Sequence, residues 1–226
     1  AEAAEKARPH LDRLVVGDVE QLDLVGEFGP GEFDVLIFAD VLEHVKNPVD
    51  ARRRPRPLLA DGGYAVVSIP NVAPGSVRLA LMRGRFEYRP LGLLDDTHLR
   101  FFTRASFEQL IADAGFVAVD IRQTTAGAFE TEIPLQRADY PDPVVAEVEA
   151  DPESSTYQFV ARVEPVDGSG SALGDVLAER NREVYAQRRL LAEIARLAGG
   201  GPNHPVVGVL DAGGPELPPS APCGPR

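Results

Sequence analysis

Cysteine is nearly absent from the 226-residue sequence, which contains one such residue, Cys223. A single thiol can form neither an intrachain disulfide framework nor a metal site built from several thiolates. This cysteine content argues against a small secreted domain and is typical of a protein from a reducing compartment such as the cytoplasm.

Positive charge is also scarce, and long apolar runs are missing. Lys and Arg number 23 against 35 Asp and Glu, which gives a formal net charge of −12. Such a balance argues against a protein that binds nucleic acid or an anionic membrane surface. No apolar run approaches the roughly 20 residues that cross a bilayer, and no signal-peptide pattern opens the sequence. We therefore expect a cytoplasmic protein without membrane insertion.

Glycine and proline, in contrast, are abundant, but their excess is confined to one end. Together they make up 41 of the 226 residues, and 14 of them lie in the last 28 positions. The range 199–226 is therefore predicted to be a disordered tail. The hydrophobic content of 44% is sufficient for a packed core in the remainder of the chain.

Apolar runs separated by loops and amphipathic segments predict alternating strands and helices. The continuous apolar run over 33–39 is typical of a strand covered on both faces, as in the middle of a parallel sheet. The other predicted strands are RLVVGDVE (13–20), YAVVSI (64–69), FVAVDIRQ (116–123) and YQFVARVEP (157–165). This order of elements predicts an α/β protein with a Rossmann-like parallel sheet.

Prolines and capping residues predict where the first helices begin and end. The N-terminal segment is predicted to be a helix that stops near Pro9. Asn47 and Pro48 are typical of a helix start, and the Asp61-Gly62-Gly63 sequence is typical of a stop. An interior proline is strongly unfavourable in a helix, so Pro55 predicts that this helix is broken or shortened.

The following segments are predicted from the same kinds of signal. The range 71–100 contains several glycines and a proline, and we expect it to be irregular. Thr103 is predicted to cap a helix that ends at Gly115, because the intervening apolar residues recur at helical spacing. An acidic, proline-containing loop is expected between the last two strands.

The pattern of the chain changes from Ser171 to Ala198, where apolar residues recur every seven positions. Arg180 and Gln187 interrupt the repeat, which argues against a long coiled coil. We predict an amphipathic helix that docks on the domain or links it to a partner protein. The predicted organisation is a domain over 1–165, a helical extension over 166–198 and the tail.

Acidic residues and a histidine follow the first two predicted strands, where ligands bind in open α/β sheets. Asp18 can accept a hydrogen bond from an adenine amino group, or it can be an ordinary turn or cap residue. Asp40, Glu43 and His44 follow the second strand, and a helical turn there would place Asp40 and His44 on one face. Hard divalent ions need more oxygen ligands than this cluster offers, so no metal site is predicted.

Three longer segments occur together: FDVLIFADVLEHVKNP, LLADGGYAVVSIPN and DDTHLRFFTRASFEQLIADAGF. At these distances they resemble the class I S-adenosylmethionine-dependent methyltransferases. The similarity is to the small-molecule group that includes quinone-biosynthesis O-methyltransferases and methyltransferases of bacterial polysaccharide clusters, and it covers 1–165. The resemblance implies S-adenosyl-L-methionine as cofactor and methyl transfer to a small-molecule, sugar or lipid-like acceptor.

The resemblance also implies roles for individual residues. The positions matching the cofactor site, beside the adenine and the methionine moiety, are Asp18, Val19, Ala39, Asp40 and Val41. The positions on the acceptor side are Glu43, Asn71, Arg100 and Phe101. The range 71–100 matches the variable insertion that covers the acceptor.

A hydroxyl acceptor requires a general base, and His44 and His98 are the candidates by residue type and by position. Each histidine also has a structural alternative: His98 can hydrogen-bond the covering segment, and His44 can tune the pocket. Arg100 can bind an acidic or phosphate-bearing acceptor, or it can pair with Asp95 or Asp96.

The sequence departs from the family in its glycines. It contains no strand followed by a glycine-rich E/D-x-G-x-G-x-G loop, and no second strand that ends in a ribose-binding acid. The resemblance therefore implies a methyltransferase sheet truncated at its N-terminus by one βαβ unit, with impaired methyl transfer. The alternative is a non-catalytic interaction module that derives from this fold and is attached to a partner or a glycosyltransferase domain.

Overall fold

The computed structural model describes residues 2–166 and four isolated helical positions, Glu183, Ala186, Gln187 and Leu190. The other positions of the predicted helix over 171–198, and the whole of the predicted tail over 199–226, lie outside the described residues. Within the described part, no helix combines the length and the apolar composition that crossing a bilayer requires.

A four-stranded mixed sheet lies at the centre of the described chain. Its strands are β1 (Phe33–Ala39), β2 (Leu59–Pro70), β3 (Phe116–Thr125) and β4 (Thr156–Pro165), in the order β1-β2-β4-β3. The pair β1 and β2 is parallel, whereas β4 is antiparallel to both β2 and β3. The α/β class is confirmed, but the expected parallel sheet is found in one pair of the described strands. The order of strands and helices along the sequence does not determine strand direction, because two antiparallel neighbours can be connected without a crossover helix.

The helices of residues 2–166 are short. They are α1 (Glu2–Ala7), α2 (Leu24–Phe28), α3 (Pro48–Arg53), α4 (Gly75–Met82), α5 (Arg104–Asp113) and α6 (Asp142–Glu149). Single turns of 3₁₀ helix occur at Arg8–His10, Leu42–His44, Arg56–Leu58 and Arg137–Asp139. Two of the helices, α4 and α6, lie in segments that the sequence pattern assigned to irregular loops. Each has eight residues, too few for an apolar repeat to be clear.

The predicted start and break of the helix after β1 are confirmed. The Asn47 side chain accepts a hydrogen bond from the Asp50 amide at 3.3 Å, and Pro48 is the first helical residue. The helix α3 ends at Arg53, two residues before Pro55. The Asp61-Gly62-Gly63 sequence does not end this helix, because it belongs to β2.

The predicted cap of α5 is also confirmed. The Thr103 hydroxyl accepts a hydrogen bond from the Ser106 amide, and the Ser106 hydroxyl accepts one from the Thr103 amide. Gly115 follows the helix with φ of 74°, a conformation that glycine adopts without steric cost. Both ends of α5 are therefore specified by local sequence.

Two expectations about the first strands are wrong. The range 13–20 forms no strand, because within residues 2–166 no neighbouring strand lies beside it to provide hydrogen-bond partners. The strand β1 is an edge strand of the described sheet and is not covered on both faces, since Ile37 is 70% exposed. Apolarity alone did not distinguish an edge strand from a central one.

The largest core cluster joins α5 to the sheet. Phe107 of α5 and Phe159 of β4 are fully buried, and their rings stack with centroids 5.8 Å apart. Phe102 belongs to the same cluster, and its carbonyl accepts a hydrogen bond from the Val72 amide at 2.8 Å. The chain before α5 is therefore held against the segment that follows β2.

Replacement of Thr103 tests the importance of the α5 cap. We expect Thr103→Ala to lower the free energy of unfolding by about 1 kcal/mol, because the first turn of α5 loses a side-chain acceptor. Urea denaturation followed by circular dichroism measures the change. Thr103→Ser keeps the hydroxyl and serves as the matched control; equal stability of the Ala and Ser variants would contradict the prediction.

Candidate active site

The first group of predicted site residues lies where β1 ends. Asp40 has φ of 51°, in the left-handed region that few residues other than glycine adopt. Its carboxylate accepts hydrogen bonds from the Ser68 hydroxyl at 3.1 Å and from the Gln158 side-chain amide. The end of β1 is thus joined to β2 and β4, and the unusual backbone of Asp40 is held by neighbouring strands.

The expected helical turn after β1 is shorter than the sequence suggested. A 3₁₀ turn covers Leu42–His44, and Asp40 precedes it with a non-helical backbone. The common helical face that was expected for Asp40 and His44 is therefore not formed. Val41, like Val19 before it, packs against the main core cluster.

A distant loop is hydrogen-bonded to this turn. The backbone carbonyl of Glu43 accepts bonds from the amides of Leu99 at 2.8 Å and Arg100 at 3.0 Å. These two bonds place residues 95–101 beside Leu42–His44, although the segments are more than 50 positions apart in the sequence. The two candidate bases meet as a result.

His44 and His98 lie edge to face, with ring centroids 4.8 Å apart and an interplanar angle of 68°. Glu43 lies beside them, and one ligand atom from each of Glu43, His44 and His98 falls within 4.8 Å of the others. Two imidazoles and a carboxylate are a donor set that zinc accepts, although a bound ion would require the atoms to move closer together. The structure thus brings together three residues that the sequence analysis had assigned separately.

The side chain of Glu43 is buried, with 1% of its surface exposed. Neither of its carboxylate oxygens has a hydrogen-bond partner among the described residues. Burial raises the pKa of Glu43 to about 7, and its own backbone amide opposes the shift. Glu43 therefore exchanges a proton near neutral pH.

His98 is half-buried, and its Nδ1 atom likewise lacks a partner within the described chain. Burial lowers the pKa of His98, and the neighbouring His44 acts in the same direction. This ring is therefore more readily neutral than an ordinary histidine.

An aromatic surface continues from the two histidines. The Phe101 ring lies 6.1 Å from that of His98 and 5.7 Å from that of Phe86, which contacts Tyr88 in turn. Phe86 and Tyr88 are exposed. Arg100 donates a hydrogen bond to the Lys46 carbonyl at 2.6 Å, and not to Asp95 or Asp96 as the alternative interpretation had it.

Asn71 occupies a different environment. It is 1% exposed, and its amide donates to the carbonyls of Thr156 at 2.8 Å and Glu153 at 3.4 Å. Its side-chain oxygen accepts from the Ala73 amide at 3.0 Å. These bonds connect the end of β2 to the segment before β4, so the amide contributes to the structure of this region.

Asp18 lies in a separate polar cavity of about 220 Å³, whose lining also includes Gln21, Lys46 and Asn47. One Asp18 oxygen accepts a bond from the Glu20 amide at 2.9 Å, an arrangement typical of a turn aspartate. The residues lining this cavity include neither Asp40 nor His44. Among the predicted cofactor residues, Asp18 is therefore in this cavity, whereas Ala39, Asp40 and Val41 are at the end of β1.

Two residues beside His44 were not identified from the sequence as site residues. The Asp95 carboxylate accepts bonds from the Thr97 amide at 2.8 Å and from the Thr97 hydroxyl at 2.5 Å. These two bonds lower the pKa of Asp95. The Thr97 hydroxyl also lies 3.1 Å from Nδ1 of His44. The Asp-x-Thr spacing was a signal for this turn, but nothing local placed His44 next to it.

The raised pKa of Glu43 predicts a pH-dependent stability. The folded chain keeps the Glu43 proton up to about pH 7, whereas the unfolded chain loses it near pH 4.5. Stability contributed by the neutral carboxyl is therefore lost as the pH rises through this window. Relative to Glu43→Gln, which stays neutral, the wild-type chain should lose about 2 kcal/mol between pH 5 and pH 8.

Urea titrations of both proteins across this pH range measure the difference. Glu149→Gln, at an exposed position of α6, is the matched control for the removal of one carboxylate. A stability difference between wild type and Glu43→Gln that stays constant with pH would contradict a raised pKa.

Comparison with known proteins identifies relatives over less than half of the chain. An O-methyltransferase of ubiquinone biosynthesis from Psychrobacter arcticus is 36% identical over 94 residues, covering 40% of this chain and 35% of the relative. An uncharacterized protein of Mycobacterium tuberculosis is 37% identical over 106 residues, covering 44% and 34%. The chain thus spans about a third of the length of these curated relatives.

The chain also resembles a solved structure and matches a protein family. A SAM-dependent methyltransferase of Thermotoga maritima, described as a possible histamine N-methyltransferase, has 19% identity and a TM-score of 0.46. The alignment covers 72% of this chain and 68% of that one. Residues 2–121, more than half of the sequence, match the family described as "Methyltransferase domain". The chain therefore belongs to the methyltransferase domain family.

Proposed function

We propose that this chain carries the acceptor side of an S-adenosylmethionine-dependent methyltransferase that methylates a small-molecule, sugar or lipid-like acceptor. The proposal rests on the meeting of His44, His98 and Glu43 within a methyltransferase domain. The relative from Psychrobacter arcticus is named as an O-methyltransferase of ubiquinone biosynthesis, which supports a hydroxyl oxygen as the methyl acceptor here.

The residues around the cluster suit the tasks that such a reaction leaves to the protein. S-adenosylmethionine, when bound, supplies a methyl group already activated by its positively charged sulfur. The protein must align the acceptor, exclude water and remove the hydroxyl proton. His44 and His98 are the proposed bases, and Glu43 is the buried carboxyl beside them that is proposed to belong to the acceptor side. Phe101 and Arg100 are proposed to contact the acceptor, with the exposed rings of Phe86 and Tyr88 extending the same surface.

The cofactor fits this chain in part. The cavity lined by Asp18, the neighbour of Val19 in the sequence, contains carboxylate and amide groups that can pair with a purine amino group, although 220 Å³ is too small for a whole cofactor of this size. Ala39, Asp40 and Val41 would lie beside the methionine moiety at the end of β1. The 226 residues contain no glycine-rich strand–helix loop, so we infer that they bind the cofactor weakly.

Calorimetry with S-adenosylmethionine tests this inference directly. We expect weak or undetectable heat of binding to the 226-residue chain, because its sequence contains no glycine-rich strand–helix loop for the nucleoside of the cofactor. S-adenosylhomocysteine, the product form of the cofactor, is titrated in parallel as a check. Micromolar affinity for either compound would contradict the inference.

Methyl transfer itself tests the function. We expect slow turnover at a millimolar concentration of donor with hydroxylated small molecules, measured as release of S-adenosylhomocysteine. His44→Gln should reduce that rate by roughly 10²–10⁴-fold, the usual contribution of a general base. His10→Gln, at an exposed position of another segment, is the matched control.

The same assay distinguishes the enzyme from the alternative, a non-catalytic module that binds a protein partner through residues 171–198. A chain that neither binds nor uses the methyl donor, in the presence of any hydroxylated acceptor, would favour the module. Turnover that is unaffected by His44→Gln would contradict the role of His44 and leave the methyltransferase function in place.

A further inference from the structure

The hydrogen-bond partners of His44 determine which of its ring nitrogens carries the proton. Its Nδ1 atom has two neighbours, the Thr97 carbonyl oxygen at 3.2 Å and the Thr97 hydroxyl oxygen at 3.1 Å. A carbonyl oxygen only accepts hydrogen bonds, whereas a hydroxyl can either donate or accept. Whether the Thr97 hydroxyl donates or accepts a hydrogen bond therefore determines whether Nδ1 of His44 carries a proton.

Asp95 fixes the direction of that hydroxyl. The Thr97 hydroxyl lies 2.5 Å from the Asp95 carboxylate, the short distance expected for a bond from a hydroxyl to an ionised oxygen. Because the hydroxyl has one proton and donates it to Asp95, it presents a lone pair to His44. Both neighbours of Nδ1 are then acceptors, and Nδ1 must carry the proton.

We propose that Asp95, Thr97 and His44 form a relay that holds the neutral imidazole as the Nδ1–H tautomer, with an unprotonated Nε2 as the general base. The inference rests on the proposed methyl transfer, for which it selects His44 over His98. Asp95 and Thr97 are positioning residues, because they act on the acceptor through the imidazole.

His98 is less suited to the same role. Its Nδ1 atom is buried and has no partner in the described part of the chain, so an acceptor cannot approach that nitrogen without displacing packed side chains. Besides its ring contacts with His44 and Phe101, His98 interacts with the backbone of Leu93. His44, in contrast, is exposed while its Nδ1 atom is occupied. The geometry therefore favours His44 as the base and His98 as the ring that packs against it.

The proton balance of the step is complete with this assignment. The acceptor O–H bond breaks as the oxygen–methyl bond forms, and the proton moves to Nε2 of His44. The electron pair of the broken sulfur–carbon bond stays on the sulfur of the donor. The resulting imidazolium returns its proton to water, which restores the neutral ring.

Nuclear magnetic resonance measures the tautomer without donor or acceptor. Long-range proton–nitrogen spectra of the ¹⁵N-labelled full chain at pH 8.5, well above the ordinary pKa of imidazole, distinguish protonated from unprotonated ring nitrogens. His44→Gln assigns the signals by their disappearance. We expect Nδ1 of His44 to be protonated and Nε2 unprotonated; the reverse pattern in the wild-type chain would overturn the proposal.

Two further variants test the relay itself. Asp95→Ala releases the Thr97 hydroxyl, which can then donate to Nδ1, so the ratio of the two tautomers should shift by about tenfold toward Nε2–H. Asp95→Ala combined with Thr97→Val removes that donor and leaves the carbonyl, so Nδ1–H should return. A role for Asp95 in folding alone does not predict this recovery in the double variant.

Asp96→Ala is the matched control, because Asp96 is an exposed carboxylate at the next position. It should leave the tautomer unchanged, and a shift equal to that of Asp95→Ala would overturn the relay. The relay and the proposed function can be tested separately. An Nε2–H ring on His44 would overturn the relay even if the chain transfers methyl groups. Normal turnover by His44→Gln would contradict the catalytic role of His44 even if its ring is the Nδ1–H tautomer.

Discussion

The site depends on one backbone interaction, the pair of hydrogen bonds from the amides of Leu99 and Arg100 to the carbonyl of Glu43. The turn after β1 and the loop before α5 are both short and irregular, and neither segment alone contains all the polar side chains of the site. The two bonds bring these segments together, so that His44 meets His98 and Thr97. Phe102 reinforces the junction because its side chain is buried in the main core cluster beside α5.

The burial of the Glu43 side chain at this junction is energetically unfavourable. Glu43 contributes its carbonyl to the junction, but its side chain is enclosed where neither carboxylate oxygen finds a partner within residues 2–166. Burying an unpaired charge is unfavourable, and the chain avoids this cost by keeping the carboxyl partly protonated near neutral pH. The junction thus combines a backbone contact that stabilises the site with a side chain whose ionisation destabilises it.

Local signals in the sequence predicted the elements that depend on local interactions. Asn47, Thr103 and Gly115 identified helix ends because caps act over three or four residues, and the apolar runs identified all four described strands. The failure over 13–20 has a different origin: a strand requires a hydrogen-bonded neighbour, and the apolar pattern of a segment does not state whether one lies beside it. For the same reason the pattern of β1 did not reveal its position at an edge.

The residues of the site were predicted as types and positions, but their connections were not. The resemblance to methyltransferases selected Glu43, His44 and His98, and the structure brings these three together. Asp95 and Thr97 were missed as site residues because their effect on His44 depends on the contact between the Thr97 hydroxyl and the His44 ring, which joins positions more than 50 residues apart.

The charges of Glu43, His44 and His98 influence one another when a proton moves. A proton on the imidazole of His44 places a positive charge beside Glu43, and this charge favours the ionised form of that carboxyl. The same positive charge disfavours protonation of His98, whose pKa is already lowered by burial. The cluster therefore stabilises a proton on one imidazole at a time, with Glu43 as the compensating acid.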